Sequence, residues 1–314
     1  IKDSTNYAVL ELGMNRKGEI QKLSKLTSPD IGLITNIGQA HLENFKNPKQ
    51  IAKAKSELIG NIKKNGFVIL NKEDKYFDFL KKCANQNKIK VISFGLQRGD
   101  LFIRKIFKIK NHYKIKVSVF NKNMMFKTSS IDKIFLLNLV ASLSVIYILG
   151  LDIKKILKLV DKFKVPEGRG NHKKILINNK LVSLVDHSYN ANPKSMSLAI
   201  KSFDQLKIRG SNNKIVILTD MLELGARSLA FHKTIFKQLR KSRINQIVLA
   251  GKWFKKATKM ISKKDNEKVF HKLPEALIYL KKVLNSGDVL MMKGSNATGL
   301  NDFVKKLKRK KNVI

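Results

Sequence analysis

The stretch LVSLVDHSYNANPKSM, residues 181–196, runs from apolar positions into ten residues that hold a tyrosine, two asparagines, two serines and a proline. The run LVSLVD is short, continuous and rich in Leu and Val, and it reads as a buried strand. Asn and Ser side chains hydrogen-bond nearby backbone, and Pro193 suits the first turn of a helix. The stretch is therefore a strand, a pinned turn and a helix, the repeating unit of a doubly wound α/β sheet.

The same alternation continues downstream. KIVILTD (214–220), a helix near His232, QIVLAG (246–251), a helix near Trp253 and DVLMMKG (288–294) before a last helix predict strands separated by helices throughout. Ligands in such sheets sit at the carboxyl ends of the strands, so DHSYNANP, TDMLELG, AGKW and KGSNATG form one rim. Upstream, YAVLEL (7–12), IGLITNI (31–37), GFVILN (66–71) and KVISFG (90–95) read as strands of a first parallel sheet, with helices at about Pro48–Lys63 and Tyr76–Asn87. Residues 101–130 alternate apolar and polar positions through turn-rich breaks, as a β-ribbon insertion with one wet face does. FLLNLVASLSVIYILGL (135–151) is interrupted by Asn138, Ser142 and Ser144 and falls short of the roughly 20 clean residues of a bilayer helix. It reads as a buried helix, followed by a second, KKILKLVDKF, and no membrane span is expected. The Pro and Gly residues of VPEGRGNHKK then mark a boundary, giving domains at 1–167 and 168–314.

Composition agrees with two globular domains: 314 residues, 43% hydrophobic. The single cysteine, Cys83, excludes an internal disulfide framework and a cysteine-rich zinc site, and fits a cytoplasmic setting. The net charge of +41 is spread along the chain, dense only in KKLKRKKN near the end, and no basic stripe interleaved with aromatics stands out. Nucleic acid is not the expected partner, although a polyanionic substrate would benefit from the charge. The opening IKDSTNYAVLELG has neither an initiator methionine nor a signal-peptide core, so a fragment is expected.

AVLELGMNRKGEI, TNIGQAHLENF, AKAKSEL, EGRG, SYNANPKSM, DMLELG and KGS, in this order, resemble the Mur ligase family from Tyr7 to Lys308. The resemblance implies a partial central ATPase domain, a mostly parallel sheet with a β-ribbon insertion, followed by a Rossmann-like acceptor domain. It also implies ATP-dependent amide ligation through an acyl phosphate, with Mg²⁺, in cytoplasmic peptidoglycan precursor synthesis. YNANP with SM and DMLELG resembles the members that join D-alanyl-D-alanine to UDP-N-acetylmuramoyl-tripeptide. Acyl-phosphate chemistry builds negative charge on phosphoryl and carbonyl oxygens, which calls for cationic donors held in place beforehand.

Residue by residue, the resemblance makes Glu11, His41 and Lys55 the metal site, Lys55 as a carbamate. A carboxylate ending a strand suits a Mg²⁺ ligand, although a surface glutamate is the plain alternative; for a lone loop histidine the weight is in the match. Carbon dioxide adds to an unprotonated amine, so burial of Lys55 favours the reaction; Lys53, on another helix face, is the competing candidate. Asn138 matches an adenine contact, and an amide inside an apolar helix needs a partner, which an interhelical bond also supplies. Arg169, between glycines at the inter-domain hinge, matches the arginine that reaches the ATP phosphates, and with Lys55 it is expected to be catalytic. His187 stands where the family often has a ribose-binding aspartate, beside Asp186. Asn190, Asn192 and Ser195 are expected to shape the acceptor pocket, with Asp220, Glu223 and Lys293 on the same rim.

The chain departs from the family in lacking any G-x-x-x-x-G-K-[ST] loop, so that element is expected ahead of Ile1 and the fragment alone is expected to be inactive. Ile134 and Phe135 replace a His-Asn pair, Thr219 a glycine, and Asn296 a frequent arginine. A monomer is expected. Another superfamily member, such as a folylpolyglutamate synthase, and a non-catalytic basic α/β protein that binds nucleic acid stand as alternatives.

Overall fold

The computed structural model describes residues 4–38, 44–45, 47–110, 112–128, 131–163, 166–208, 210, 212–259 and 264–309. The described residues up to 163 form one compact unit and those from 166 onward another, so Pro166 and Glu167 belong with the second.

The first unit opens with an extended segment, and here YAVLEL departs from the strand expected of it. It has no strand structure, and Tyr7, Val9 and Leu10 are exposed. A strand persists through ladder hydrogen bonds, and no described strand pairs with this one. α1 (Glu19–Thr27), not expected from the sequence, follows; the Glu19 carboxylate accepts the Asn15 N–H at 2.7 Å. β1 (Ile31–Ile34) leads to α2 (Pro48–Ser56), where Asn47 caps the N-terminus by accepting the Gln50 N–H at 3.1 Å and Pro48 begins the first turn. α2 stops at Ser56, short of the expected Lys63, and a 3₁₀ turn (Ile59–Asn61) takes over.

β2 (Phe67–Asn71), α3 (Phe77–Gln86), β3 (Lys90–Gly95), β4 (Leu101–Ile109), β5 (His112–Val119), β6 (Lys122–Thr128), α4 (Lys133–Ile148) and α5 (Ile153–Leu159) complete the unit. Strands run β1-β2-β3-β4-β5-β6, parallel as far as β4, where only two residue pairs bridge β3 and β4, and antiparallel from β4 to β6. The ribbon is thus part of the sheet. Phe120 and Asn121, both at positive φ, make its two-residue β5–β6 turn. α4 packs Leu136, Val140 and Leu143 with Phe94, Leu101 and Val117 of the sheet.

The second unit contains β7 (Asn171–Ile177), β8 (Lys180–His187), α6 (Pro193–Gln205), β9 (Lys214–Thr219), α7 (Ser228–Arg240), β10 (Gln246–Ala250), α8 (Lys252–Thr258), β11 (Glu267–Phe270), α9 (Leu273–Val283), β12 (Val289–Lys293) and α10 (Leu300–Arg309). The order is β11-β10-β9-β12-β8-β7, parallel from β11 to β8. β7 corrects the expectation of helix-separated strands throughout, because it pairs antiparallel with β8 across Asn178 and Asn179, both at positive φ. Every residue of β9 and β12 is buried, as interior strands covered on both faces must be. Period-two alternation sends Val216 and Leu218 to one core with Met196 and Phe236, and Ile215 and Ile217 to the other with Leu290 and Leu300.

Candidate functional site

β12 lies between β8 and β9, so the chain order reverses there, and in doubly wound sheets ligands bind at the carboxyl ends of strands at such a point. The turn after β8 lies at this point. Asn192 Oδ1 accepts the Ser195 N–H at 2.8 Å while Ser195 Oγ accepts the Asn192 N–H at 3.1 Å, a reciprocal capping box that starts α6 with Pro193 in its first turn. Asn192 and Ser195 are thereby engaged in shaping the turn. Asn190 Oδ1 accepts the Ala191 N–H at 2.8 Å, its carbonyl accepts Lys293 Nζ at 2.8 Å, and Ser295 Oγ donates to the Ala191 carbonyl at 3.3 Å.

Two carboxylates expected on the rim prove to be internal. Asp186 is 1% exposed. It accepts from Ser188 N and Oγ on one oxygen, and from Lys308 of α10 at 2.6 Å on the other. Burial alone would raise its pKa, but the Lys308 and Ser188 bonds hold the carboxyl below its usual range. Asp220 accepts the Trp253 and Phe254 N–H groups, each at 3.0 Å, and so caps the start of α8. Glu223 is exposed and adopts a left-handed backbone, φ 62°.

The groups that face one another at the rim are cationic or imidazole. Lys293 ends β12 and is buried; burial first, and the nearby Arg169 second, push its pKa down to about 8. His187, ending β8, is pushed down to about 4 by burial and then by Lys293, with His172 acting in the same sense and Asp186 opposing, so it is neutral at pH 7. Arg169 is exposed and lies over the Tyr189 ring, 4.3 Å from guanidinium carbon to centroid. Its flanking glycines are required: Gly168 and Gly170 both have positive φ, and a Cβ on Gly168 would come within 2.9 Å of the Tyr189 backbone nitrogen. Arg169 and Lys293 repel each other, and an anion between them relieves that cost.

In the first unit, Lys55 is half-buried on α2 while Lys53 is exposed. Lys55 Nζ donates to the Asn36 carbonyl at 3.0 Å; burial lowers its pKa, with Asp74 opposing. Asp74 in turn accepts the Ile37 N–H at 2.8 Å and the Tyr76 N–H at 2.9 Å. Glu11 is exposed on the extended segment, and His41 lies outside the described residues. Among the described residues no three His, Cys, Asp or Glu groups cluster around a metal-sized point. Asn138 is exposed, which corrects the expectation of a buried amide: α4 turns Leu136, Val140 and Leu143 inward, and Asn138 lies between them in sequence but on the outer face. No described helix is long and apolar enough to cross a membrane.

Tyr189, His232 and Lys308 were not singled out from the sequence. Tyr189 stands in the turn motif itself, but Lys308 is 122 residues from Asp186, and no local spacing connects them.

A family model described as the Mur ligase middle domain matches residues 1–146, and one described as the Mur ligase, glutamate ligase domain matches residues 175–296. A UDP-N-acetylmuramoyl-tripeptide–D-alanyl-D-alanine ligase of Rickettsia prowazekii is 31% identical over 306 residues, covering 96% of this chain and 66% of the relative. A ligase of the same description from Buchnera aphidicola of Acyrthosiphon pisum is 31% identical over 320 residues, covering 99% of this chain and 68% of the relative. The crystal structure of MurF from Acinetobacter baumannii superposes with a TM-score of 0.83 at 27% identity, covering 99% of this chain and 66% of that one. The chain thus spans about two thirds of the length of the proteins it matches.

Proposed function

The chain belongs to the Mur ligase family, and on that premise we propose that it is the ATP- and acceptor-handling part of a ligase that joins D-alanyl-D-alanine to UDP-N-acetylmuramoyl-tripeptide. The observation that carries this reading is the cationic rim of the second unit, where Arg169 and Lys293 converge beside a turn pinned by its own side chains. An acyl phosphate and a dipeptide carboxylate are both anions, and cations held in place beforehand, one of them the buried Lys293, suit charge that grows during reaction. Arg169 is the phosphate-directed group, its fork steadied by Tyr189. Lys293 and Asn190 receive the acceptor, and neutral His187 offers a hydrogen bond without a competing charge. Asn192, Ser195, Asp186 and Asp220 act as supports, and Glu223 and Asn138 remain exposed candidates for contacts with acceptor and adenine.

Lys55 fits the metal site asked of it. Its amine is half-buried and its pKa lowered, so more of it is unprotonated and open to carbon dioxide than in an exposed lysine. Glu11, His41 and carbamylated Lys55 would hold Mg²⁺, whose charge neutralises phosphoryl oxygens. The setting is cytoplasmic, where ATP and the nucleotide-linked precursor are found.

Calorimetry on the 314-residue chain tests the acceptor half. D-alanyl-D-alanine should bind, L-alanyl-L-alanine should bind at least about tenfold more weakly, and Arg169→Ala should leave dipeptide affinity within about threefold while weakening ATP. Equal affinity for both dipeptides would overturn the acceptor assignment. Joined to any coding sequence in frame ahead of Ile1, the protein should release phosphate only when both substrates and Mg²⁺ are present.

A further inference from the structure

We propose that His232 is a positioning residue: its neutral imidazole, with the hydrogen on Nδ1, clamps the Asp220–Leu222 turn and, through Ser295, sets the spacing of the loops that carry Asn190 and Lys293. The inference deepens the acceptor reading above and rests on it for its functional consequence.

His232 lies on α7 with no exposed surface. Nδ1 is 2.7 Å from the Ser228 carbonyl, and Nε2 is 3.0 Å from the Met221 backbone nitrogen. A carbonyl only accepts and a backbone N–H only donates, so Nδ1 carries the hydrogen and Nε2 presents its lone pair. Asp220 Oδ1 is 3.5 Å from Nε2, yet this is no ion pair, because that oxygen accepts the Phe254 N–H and Nε2 accepts from Met221. Burial lowers the pKa of His232, against the Ser228 carbonyl and Asp220, which agrees with a neutral ring.

From the clamped turn the connection runs outward through two bonds. The Leu222 N–H donates to Ser295 Oγ at 2.9 Å, and Ser295 Oγ donates to the Ala191 carbonyl at 3.3 Å. Ser295 N also donates to the Asp220 carbonyl at 3.2 Å. Ala191 follows Asn190, and Ser295 follows Lys293 by two residues, so one buried ring lies behind both acceptor-facing groups. The titratable group that faces the ring is Asp220; α8 presents the rings of Trp253 and Phe254, and Lys252 and Lys256 lie over Trp253. Protonation of Nε2 would convert it to a donor, release the Met221 N–H and turn the ring's bond toward Asp220.

Two substitutions separate the clamp from simple core filling. His232→Gln has the reach to accept the Met221 N–H with its side-chain oxygen; His232→Asn can donate to Ser228 but leaves Met221 without an acceptor. In the 314-residue chain, ¹⁵N imidazole shifts should report the Nδ1–H form of His232 at pH 7. In His232→Asn, amide exchange at Met221 and Leu222 should quicken at least about tenfold while Val248 and Leu249 keep their rates, and D-alanyl-D-alanine affinity should fall about tenfold. His232→Gln should restore both within about threefold. An Nε2–H tautomer, or exchange that quickens uniformly in both variants, would overturn the proposal. If the parent chain binds no dipeptide, the acceptor reading fails, and the tautomer with local exchange still decides whether the clamp exists.

Discussion

The rim of the second sheet and the surroundings of Lys55 in the first unit both hold polar side chains inside α/β folds, yet they use them differently. At the rim, Asn192, Ser195, Asp186 and Asp220 each bond to backbone, Asp186 also to the Ser188 hydroxyl and Lys308, and Arg169, Lys293 and His187 are left facing one another. Around Lys55 there is one donated bond, to Asn36, and one opposing carboxylate, Asp74, itself tied to backbone. The rim is a scaffold that presents a few cations, whereas the Lys55 site is a single adjustable amine. Polar residues in a ligand-binding motif are therefore as often the frame as the contact.

The largest effect that can break this contrast is loss of the Lys308 bond. Lys308→Met keeps the apolar stem but leaves the buried Asp186 carboxylate without its charged partner, which costs about 4 kcal/mol in urea unfolding at pH 7. The pKa of Asp186 is lowered in the folded state, so its contribution is present above the unfolded value of about 3.9 and is lost as pH falls through the folded value. The gap between parent and variant should therefore narrow below about pH 4. A loss under about 1 kcal/mol would mean that Asp186 is not part of the frame and is available to a ligand.

The same contrast marks where sequence reading succeeds. The β8–turn–α6 unit was legible because strand composition, Pro193 and the Asn192–Ser195 cap all act within a few residues. β9 and β12 were legible because interior parallel strands are apolar on both faces. YAVLEL has the composition of a strand, but composition does not supply a ladder partner. β7 was hidden because NHKK reads as a charged boundary, although the Asn178–Asn179 turn signalled the hairpin. β11 is four residues long, and its buried Glu267 is satisfied by the two bonds that Arg240 donates from α7 and by the Lys264 N–H. α4 is apolar on nearly every side, so its sequence did not reveal that Asn138 faces outward. At the site, the cations were found by motif, but the engagement of Asp186 depends on a lysine far along the chain.

A smaller effect, of opposite sign, sharpens the claim that Lys293 is held at a cost to stability. Lys293→Met removes a buried ammonium that Arg169 repels, and it should stabilise the chain by about 1 kcal/mol at pH 7 while weakening D-alanyl-D-alanine binding. Lys293 is depressed to about 8 when folded, against about 10.4 unfolded, so between these values the unfolded chain binds more protons. The stability of the parent therefore rises with pH in that window, and the advantage of the variant should shrink from pH 8 toward pH 10. Thermal melts across that range, paired with calorimetry, read both quantities. A destabilised variant would instead identify the bond to the Asn190 carbonyl as the dominant role of Lys293.

The smallest effect on stability carries the most chemical information about the other region. Lys55→Arg and Lys53→Arg should each leave unfolding free energy within about 0.5 kcal/mol, since both keep the charge, Lys53 is exposed and Lys55 is not fully buried. In ¹³C-bicarbonate the two should part company. Carbamate formation consumes the unprotonated amine, and burial lowers the pKa of Lys55, so a single carbamate carbon resonance should grow from pH 7 to pH 9. It should vanish in Lys55→Arg and persist in Lys53→Arg, and removing the opposing carboxylate with Asp74→Asn should move its onset to lower pH. A resonance that survives Lys55→Arg would place the reactive amine elsewhere. It would also take from the first unit the one property that sets it against the rim, an amine whose charge the fold leaves adjustable.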